Sequence, residues 1–191
     1  MSNRKTELAG AVATLRGAKV NGGVPKVGQL GVQDKTIYLN FSAAGQAGIV
    51  NLIDSNTRKI IGVTNLDGNK LNPGRDYIID SIRFMNAAGT DIMAADYTNG
   101  VPVAMKNAEF RIVQGSNNLL EMPVSDLTGD LVAKDILAGF RNISTLPMIR
   151  SNEEFAFELE YAKGTTVPAA GTTASGGLCV RIEMRVHQAK K

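Results

Sequence analysis

The sequence predicts a mainly β protein, an eight-stranded antiparallel sandwich with one or two short helices. Several short segments alternate apolar and polar residues with period two, which sends successive side chains to opposite faces of a sheet. Twenty glycines in 191 residues supply frequent turns, and the absence of tryptophan indicates a core of aliphatic residues and phenylalanine. The connection at 162–177 is longer than a hairpin loop and fits a crossover between two facing sheets. Because jelly rolls make such crossovers repeatedly, we expect a sandwich of jelly-roll type.

The clearest alternation lies in two C-terminal strands, at 154–161 and 178–187. One face of each strand is apolar and has to be buried, whereas the other carries mixed charge and tolerates water or a partner chain. The apolar faces consist of Phe155, Phe157, Leu159 and Tyr161 in the first strand and Val180, Ile182, Met184 and Val186 in the second. The charged faces hold Glu158, Glu160, Arg181 and Arg185. We expect these faces to be contact surfaces, with the arginines neutralising the glutamates if the strands come within reach.

Earlier segments predict further short strands separated by turns. Asp67-Gly68 is a strong turn signal, and a change in the alternation near Asp80 predicts a β-bulge. Capping residues predict a helix over 126–138. The remaining predicted strands cover 36–41, 49–53, 58–64, 76–86, 91–94, 107–114 and 119–124, and segments 140–144 and 146–150 lead to the final pair.

Residues 1–31 are predicted to form an N-terminal arm, and residues 32–191 the sandwich domain. Residues 6–19 predict a short amphipathic helix, because Thr6 can cap it and apolar residues recur at helical spacing. A helix of this length needs something to pack against, either the surface of its own domain or a neighbour. The arm residues predicted to contact partners are Arg4, Lys5, Leu8, Val12, Leu15, Arg16, Lys19 and Lys26.

The formal charge of +3 is small beside that of dedicated nucleic-acid-binding proteins, but it is concentrated at the chain ends. Residues 1–30 contain five basic residues and one acidic residue, and Lys190 and Lys191 close the chain. Such ends either are solvated or contact nucleic acid or an acidic surface. The sequence has no run of about 20 apolar residues, so we expect no transmembrane segment and a soluble protein made in a cytoplasm.

Signals for catalysis, metals or cofactors are weak. Cys179 is the only cysteine and His187 the only histidine, which excludes a disulfide within the chain and disfavours a zinc site or a Ser–His–Asp triad. The four glutamates in 153–160 would suit a glycosidase, but a solvated or interface face explains them more simply. The aspartates in 67–80 and 126–130 lack the compact loop of a calcium site and suit turns. We therefore expect no catalytic, metal or cofactor site and no enzyme.

The order of strands and turns in the C-terminal half carries a family resemblance. It rests on Leu120-Glu-Met-Pro-Val-Ser-Asp-Leu127, a helical insert, the run 145–160 and a terminal alternating strand, and it covers roughly residues 76–191. This part of the chain resembles the single jelly-roll capsid proteins of tailless icosahedral viruses, including bacteriophages. The resemblance implies self-assembly into a shell, an arm that faces inward toward the genome or a lining layer, and no catalysis. The arm has fewer basic residues than many such arms, which argues against direct genome binding.

We therefore expect a non-enzymatic structural subunit, in the first place a viral capsid protein located in the virion and made in the host cytoplasm. It would self-assemble through loops, sheet faces and its N-terminal arm. Its partners would be further copies and other shell proteins, with weak contact of the arm to nucleic acid or an acidic lining. The alternative is a carbohydrate- or ligand-binding β-sandwich module that uses loops at one end of its sheets.

Overall fold

The computed structural model describes residues 31–87, 89, 91–97, 103–128, 139–168 and 178–190. These residues form two antiparallel sheets and two four-residue helices, which confirms the prediction of a mainly β protein. The predicted arm up to residue 30 lies outside the described residues, as do most of the predicted helix 126–138 and most of the long connection 162–177.

Nine strands make up the two sheets in the described part of the chain. The five-stranded sheet contains β1 (Gly31–Ser42), β3 (Arg75–Ala87), β6 (Arg141–Asn142), β7 (Met148–Ile149) and β9 (Cys179–Lys190). The four-stranded sheet contains β2 (Ile49–Asn51), β4 (Glu109–Gln114), β5 (Asn117–Pro123) and β8 (Phe155–Glu160). The helices are α1 (Val103–Lys106) and α2 (Val124–Leu127).

The two C-terminal strands lie in different sheets, as the length of their connection predicts. β9 pairs on both sides in the five-stranded sheet, with β1 and with β3, whereas β8 lies between β2 and β4 in the four-stranded sheet. The apolar face of β9 and that of β8 are both buried in one core cluster. The sheets therefore pack face to face, with the charged faces of both strands turned outward.

The described residues form nine strands, whereas eight were predicted, because two short strands share one edge of β3. β7 pairs with Tyr77 and Ile78, and β6 pairs further along β3 with Ser81 and Ile82. The register of β3 against β9 shifts between Ile79 and Ser81, which confirms the predicted bulge. The chain between β6 and β7 turns away from the sheet next to this irregularity, so the edge strand is interrupted there.

Four phenylalanines fill the space between the sheets. Phe84 of β3 meets Phe110 of β4 edge-on, with ring centroids 5.2 Å apart, and Phe110 lies 6.1 Å from Phe157 of β8. Phe155 and Phe157 are 5.4 Å apart along β8. All four side chains are at most 2% exposed. Edge-to-face contacts of this kind add to the free energy of burial, so the rings hold the two sheets together.

Two predicted strands are wrong. Residues 58–64 form turns, in which the amides of Val63 and Thr64 both donate to the carbonyl oxygen of Ile60 and Gly62 has a φ of 88°. Residues 91–94 also form a turn, because a carboxylate oxygen of Asp91 accepts a hydrogen bond from the amide of Met93 at 2.8 Å. In both segments local hydrogen bonds replace the ladder that the alternation predicts.

Candidate assembly surfaces

The outer face of the five-stranded sheet centres on a carboxylate held between two arginines. The Nε of Arg83 on β3 donates to one oxygen of Glu183 on β9 at 2.8 Å, and the Nε of Arg181 donates to the other at 2.6 Å. The Glu183 side chain is only 10% exposed. Charge-assisted hydrogen bonds to both oxygens compensate for its burial, so this part of the face is a closed network.

Aromatic rings stack on the arginines of this face. The Phe140 ring contacts two guanidinium groups, at 4.3 Å from that of Arg83 and 4.1 Å from that of Arg185. On the other side of the network, the Arg181 guanidinium lies 4.6 Å from the ring of Tyr38. Burial raises the pKa of the neighbouring Tyr97 to about 12. These contacts cover much of the charged face with the protein's own side chains.

The outer face of the four-stranded sheet is acidic around a single arginine. Arg111 on β4 contacts Glu109, Glu121 on β5 and Glu160 on β8, and Glu158 lies opposite it in the strand register. Burial opposes the charge of Arg111, but hydrogen bonds to Glu160 and Glu121 outweigh this effect and raise its pKa. Four carboxylates around one guanidinium leave the face with net negative charge.

The charged strand faces do not neutralise each other as the sequence suggested. Glu158 and Glu160 lie on the outer face of one sheet, and Arg181 and Arg185 on the outer face of the other. Their charges are instead balanced within each sheet, by Arg111 for Glu160 and by Glu183 for Arg181. The strand order, which sequence alternation does not reveal, decides these partners.

The predicted contact residues of the arm all lie outside the described residues. These are Arg4, Lys5, Leu8, Val12, Leu15, Arg16, Lys19 and Lys26. Their part in assembly therefore stays a prediction.

A small apolar surface lies beside the β1 edge. Ile60, Ile61 and Met93 are 51%, 83% and 60% exposed, and we call them the loop patch. The two loops that carry the patch are tied together, because the buried amide of Asn40 donates to the carbonyl oxygens of Gly62 and Ile92, at 2.7 and 3.4 Å. Apolar side chains held in the open on fixed loops are typical of protein contact sites.

A polar cleft of about 370 Å³ opens on the five-stranded sheet, lined by Asp34, Asp80, Arg185 and His187 among others. The Nδ1 of His187 lies 2.7 Å from a carboxylate oxygen of Asp34, and its Nε2 lies 3.9 Å from Asp80. Among the residues that the structure describes, no group of three or more His, Cys, Asp or Glu side chains is arranged to hold a metal ion.

No protein-family model, curated protein or solved structure matches this chain. Within the described ranges, neither helix has the length and apolar character needed to cross a membrane.

Proposed function

We propose that the protein is a non-enzymatic subunit of a viral capsid that self-assembles and has the jelly-roll fold. The strand order carries the proposal. β6 and β7 occupy one edge of β3, so they count as one interrupted strand, and β1-β9-β3-β6/β7 then faces β2-β8-β4-β5. The chain changes sheets at every step except β4 to β5 and β6 to β7. This division of eight strand positions between two facing sheets supports a jelly roll, the fold that capsid proteins, lectins and cupins use.

The filled interior supports a structural role over a binding site between the sheets. The four core phenylalanines occupy the space in which a ligand-binding barrel keeps its cavity. Three clefts of the described residues open instead at the surface, one over strands of the five-stranded sheet and two among loops. A packed core with variable surface loops suits a building block whose contacts lie outside the fold.

The loop patch supports contact with a second copy of the chain. Ile61 is the most exposed large apolar residue of the described chain, and Ile60 and Met93 extend the surface. Burying such side chains against a neighbour stabilises an interface at about 25 cal/mol per Å² of apolar area. A closed shell repeats the same contact between many pairs of copies, so a small patch on each copy is used many times in the shell.

A surface binding site favours the second candidate function, a carbohydrate- or ligand-binding module. The cleft that contains Asp34 and His187 offers hydrogen-bonding side chains of the kind that polar ligands use. It has no exposed aromatic ring among its lining residues, and its histidine already contacts an aspartate.

Electron microscopy of the purified full chain tests the proposal. We expect regular closed particles or cyclic oligomers in negative stain, and no selective binding in a screen of immobilised glycans. Single small particles at every protein concentration, together with retention of one glycan class, would favour the binding module instead.

A further inference from the structure

A second surface cleft, of about 180 Å³, concentrates positive charge. Lys35 of β1, Lys59 and Lys70 of the following loops, and Arg75 at the start of β3 all line it. The one carboxylate in its lining is that of Asp67. Four cations and one anion around a space of roughly six water volumes create a strongly positive local potential. We call this the basic cleft.

The cations of the basic cleft have no carboxylate partner among the residues that the structure describes. Within the described residues, no carboxylate oxygen lies within 4.0 Å of a side-chain nitrogen of Lys35, Lys59, Lys70 or Arg75. The arginines of the two sheet faces behave differently, since Arg83, Arg111 and Arg181 each contact a glutamate. Within the described part of the chain, the basic cleft therefore keeps positive charge that an external anion can neutralise.

The walls of the basic cleft are held by hydrogen bonds before any ligand arrives. The amide of Gly68 donates to Thr57 at 2.8 Å, and that of Phe155 in β8 donates to Asn69 at 2.8 Å. The Nζ of Lys35 donates to the hydroxyl of Tyr77 at 2.7 Å, which directs this ammonium along the cleft wall. Because the backbone of the walls and the Lys35 ammonium are already held, binding of an anion costs less conformational entropy.

The excess of positive charge is spread over two adjoining clefts. The second cleft shares Asp67 and Lys70 with the basic cleft and adds Arg58 and Glu154, so five basic and two acidic side chains line the two clefts together. Arg75 lies opposite Lys190 in the strand register, so a further basic residue of the sheet lies next to this end of β3. The arrangement is a track of cations, which suits a long polyanion better than an isolated anion.

We propose that the basic cleft binds phosphate groups of a nucleic-acid backbone, independently of whether the protein forms a shell. Tyr77 is the only aromatic residue in the lining and is 4% exposed, so no ring is available on which a base can stack. Contacts to phosphates without contacts to bases position a strand but do not read its sequence. The binding is therefore expected to be independent of sequence and sensitive to salt.

Fluorescence anisotropy of a labelled single-stranded oligonucleotide tests this proposal on the full chain. The variant Lys59→Gln/Lys70→Gln/Arg75→Gln removes three charges of the basic cleft. The control Lys106→Gln/Arg141→Gln/Lys163→Gln removes three exposed charges elsewhere on the domain. We expect the cleft variant to lose about 10- to 100-fold in affinity at low salt and about 2 units of the salt slope, because each phosphate contact contributes about 0.7. The control is expected to stay within about twofold of the wild type, and two unrelated oligonucleotide sequences are expected to bind equally.

Four results would overturn the proposal. The first is a cleft variant that behaves like the control, and the second is an arm variant, Arg16→Gln/Lys19→Gln/Lys26→Gln, that loses all binding while the cleft variant retains it. The third is displacement of the oligonucleotide by inorganic phosphate as effectively as by an equal concentration of nucleotide phosphate. The fourth is binding of the wild type to anionic phospholipid vesicles but to no oligonucleotide. If the cleft variant fails to fold, lysine methylation of the wild type tests whether the oligonucleotide occupies the basic cleft. The bound oligonucleotide should protect Lys35, Lys59 and Lys70 but not Lys106, and equal labelling with and without it would contradict the site.

Discussion

Glu183 and Arg83 face each other across β9 and β3, joined by a hydrogen bond of 2.8 Å at the centre of an outer sheet face. Arg181 holds the other carboxylate oxygen, and Asn40 accepts a hydrogen bond from Arg181 at 3.3 Å. The network links all three long strands of the five-stranded sheet. It therefore stabilises this face without a partner chain, whereas the loop patch and the basic cleft remain open to partners.

Replacing Glu183 with Gln should lower the free energy of unfolding by about 2 to 3 kcal/mol. The change removes the negative charge that two poorly exposed guanidinium groups share, and breaking such a network is costly. Urea unfolding at neutral pH measures the effect. Glu121→Gln is the matched control, because that side chain is 46% exposed and its pair with Arg111 should contribute at most about 1 kcal/mol. Equal losses in the two variants would contradict the role of the network.

Replacing Phe110 with Ala should destabilise the fold by about 3 to 5 kcal/mol. The ring is fully buried and contacts Phe84 in one sheet and Phe157 in the other. Ile61→Ala serves as the comparison, since a side chain that is 83% exposed in the single chain should cost less than about 0.5 kcal/mol. Thermal and urea unfolding of the two variants give the difference, and a small effect at Phe110 would mean that the sheets do not pack through these rings.

Stability should fall in alkaline solution through Tyr161. Burial raises its pKa to about 12, while the hydroxyl of the unfolded chain ionises near the ordinary value of about 10. Between these pKa values the folded state keeps a proton that the unfolded state has lost. The contribution of Tyr161 to the free energy of unfolding is therefore complete below pH 10 and falls by about 1.4 kcal/mol per pH unit as the pH rises toward 12.

The variant Tyr161→Phe isolates this effect. At pH 7 it should be less stable than the wild type by about 1 kcal/mol, because it loses the hydrogen bond that the hydroxyl donates to Gln46 at 2.8 Å. Between pH 10 and 12 the difference should shrink and then change sign, since phenylalanine has no proton to lose. Urea midpoints for both proteins across this range check the prediction, and a constant difference would show that the hydroxyl ionises equally in both states.

Removing residues 1–30 should impair assembly and leave the fold intact. The core cluster lies within 37–186, and β1 begins at Gly31, so the deletion keeps the buried residues of the described core. Circular dichroism and thermal unfolding check the fold, and electron microscopy checks the particles. Particles of unchanged size and yield would show that the arm is not needed for assembly.

The sequence predicts the fold well where each strand has one buried and one exposed face. β8 and β9 alternate through most of their length, and their long connection indicates that they lie in different sheets. The alternation fails at 58–64, where Ile60 and Ile61 suggest a strand but the positive φ of Gly62 closes a turn and leaves both isoleucines exposed. Local apolar content alone cannot distinguish a strand from a loop that exposes its apolar side chains.

The surfaces are predicted less well, because they depend on which strands are neighbours. Arg111 stands out in the sequence only as the polar residue between Phe110 and Ile112, and its three glutamate contacts come from two neighbouring strands and its own. The basic cleft combines residues 35, 59, 70 and 75, which share no periodicity. The sequence does contain an excess of basic over acidic residues at 58–75. Only the structure shows that the loops bring these residues together in one cleft.

Replacing Ile61 with Asp should prevent or weaken assembly without lowering the melting temperature. Ile61 is the most exposed large apolar residue of the described chain, and a charge buried at an interface is costly. Ile49→Asp makes the same chemical change at a residue that is 62% exposed on β2, in the other sheet. Dissociation caused by the Ile49 variant alone would assign the contact to the four-stranded sheet instead.

The mass distribution of the purified full chain in sedimentation velocity, over a hundredfold range of concentration, tests most directly whether this sandwich is a building block. We expect discrete, fast-sedimenting species that contain many copies and that grow at the expense of the single chain as the concentration rises. A single boundary with the mass of one chain at every concentration would contradict this expectation.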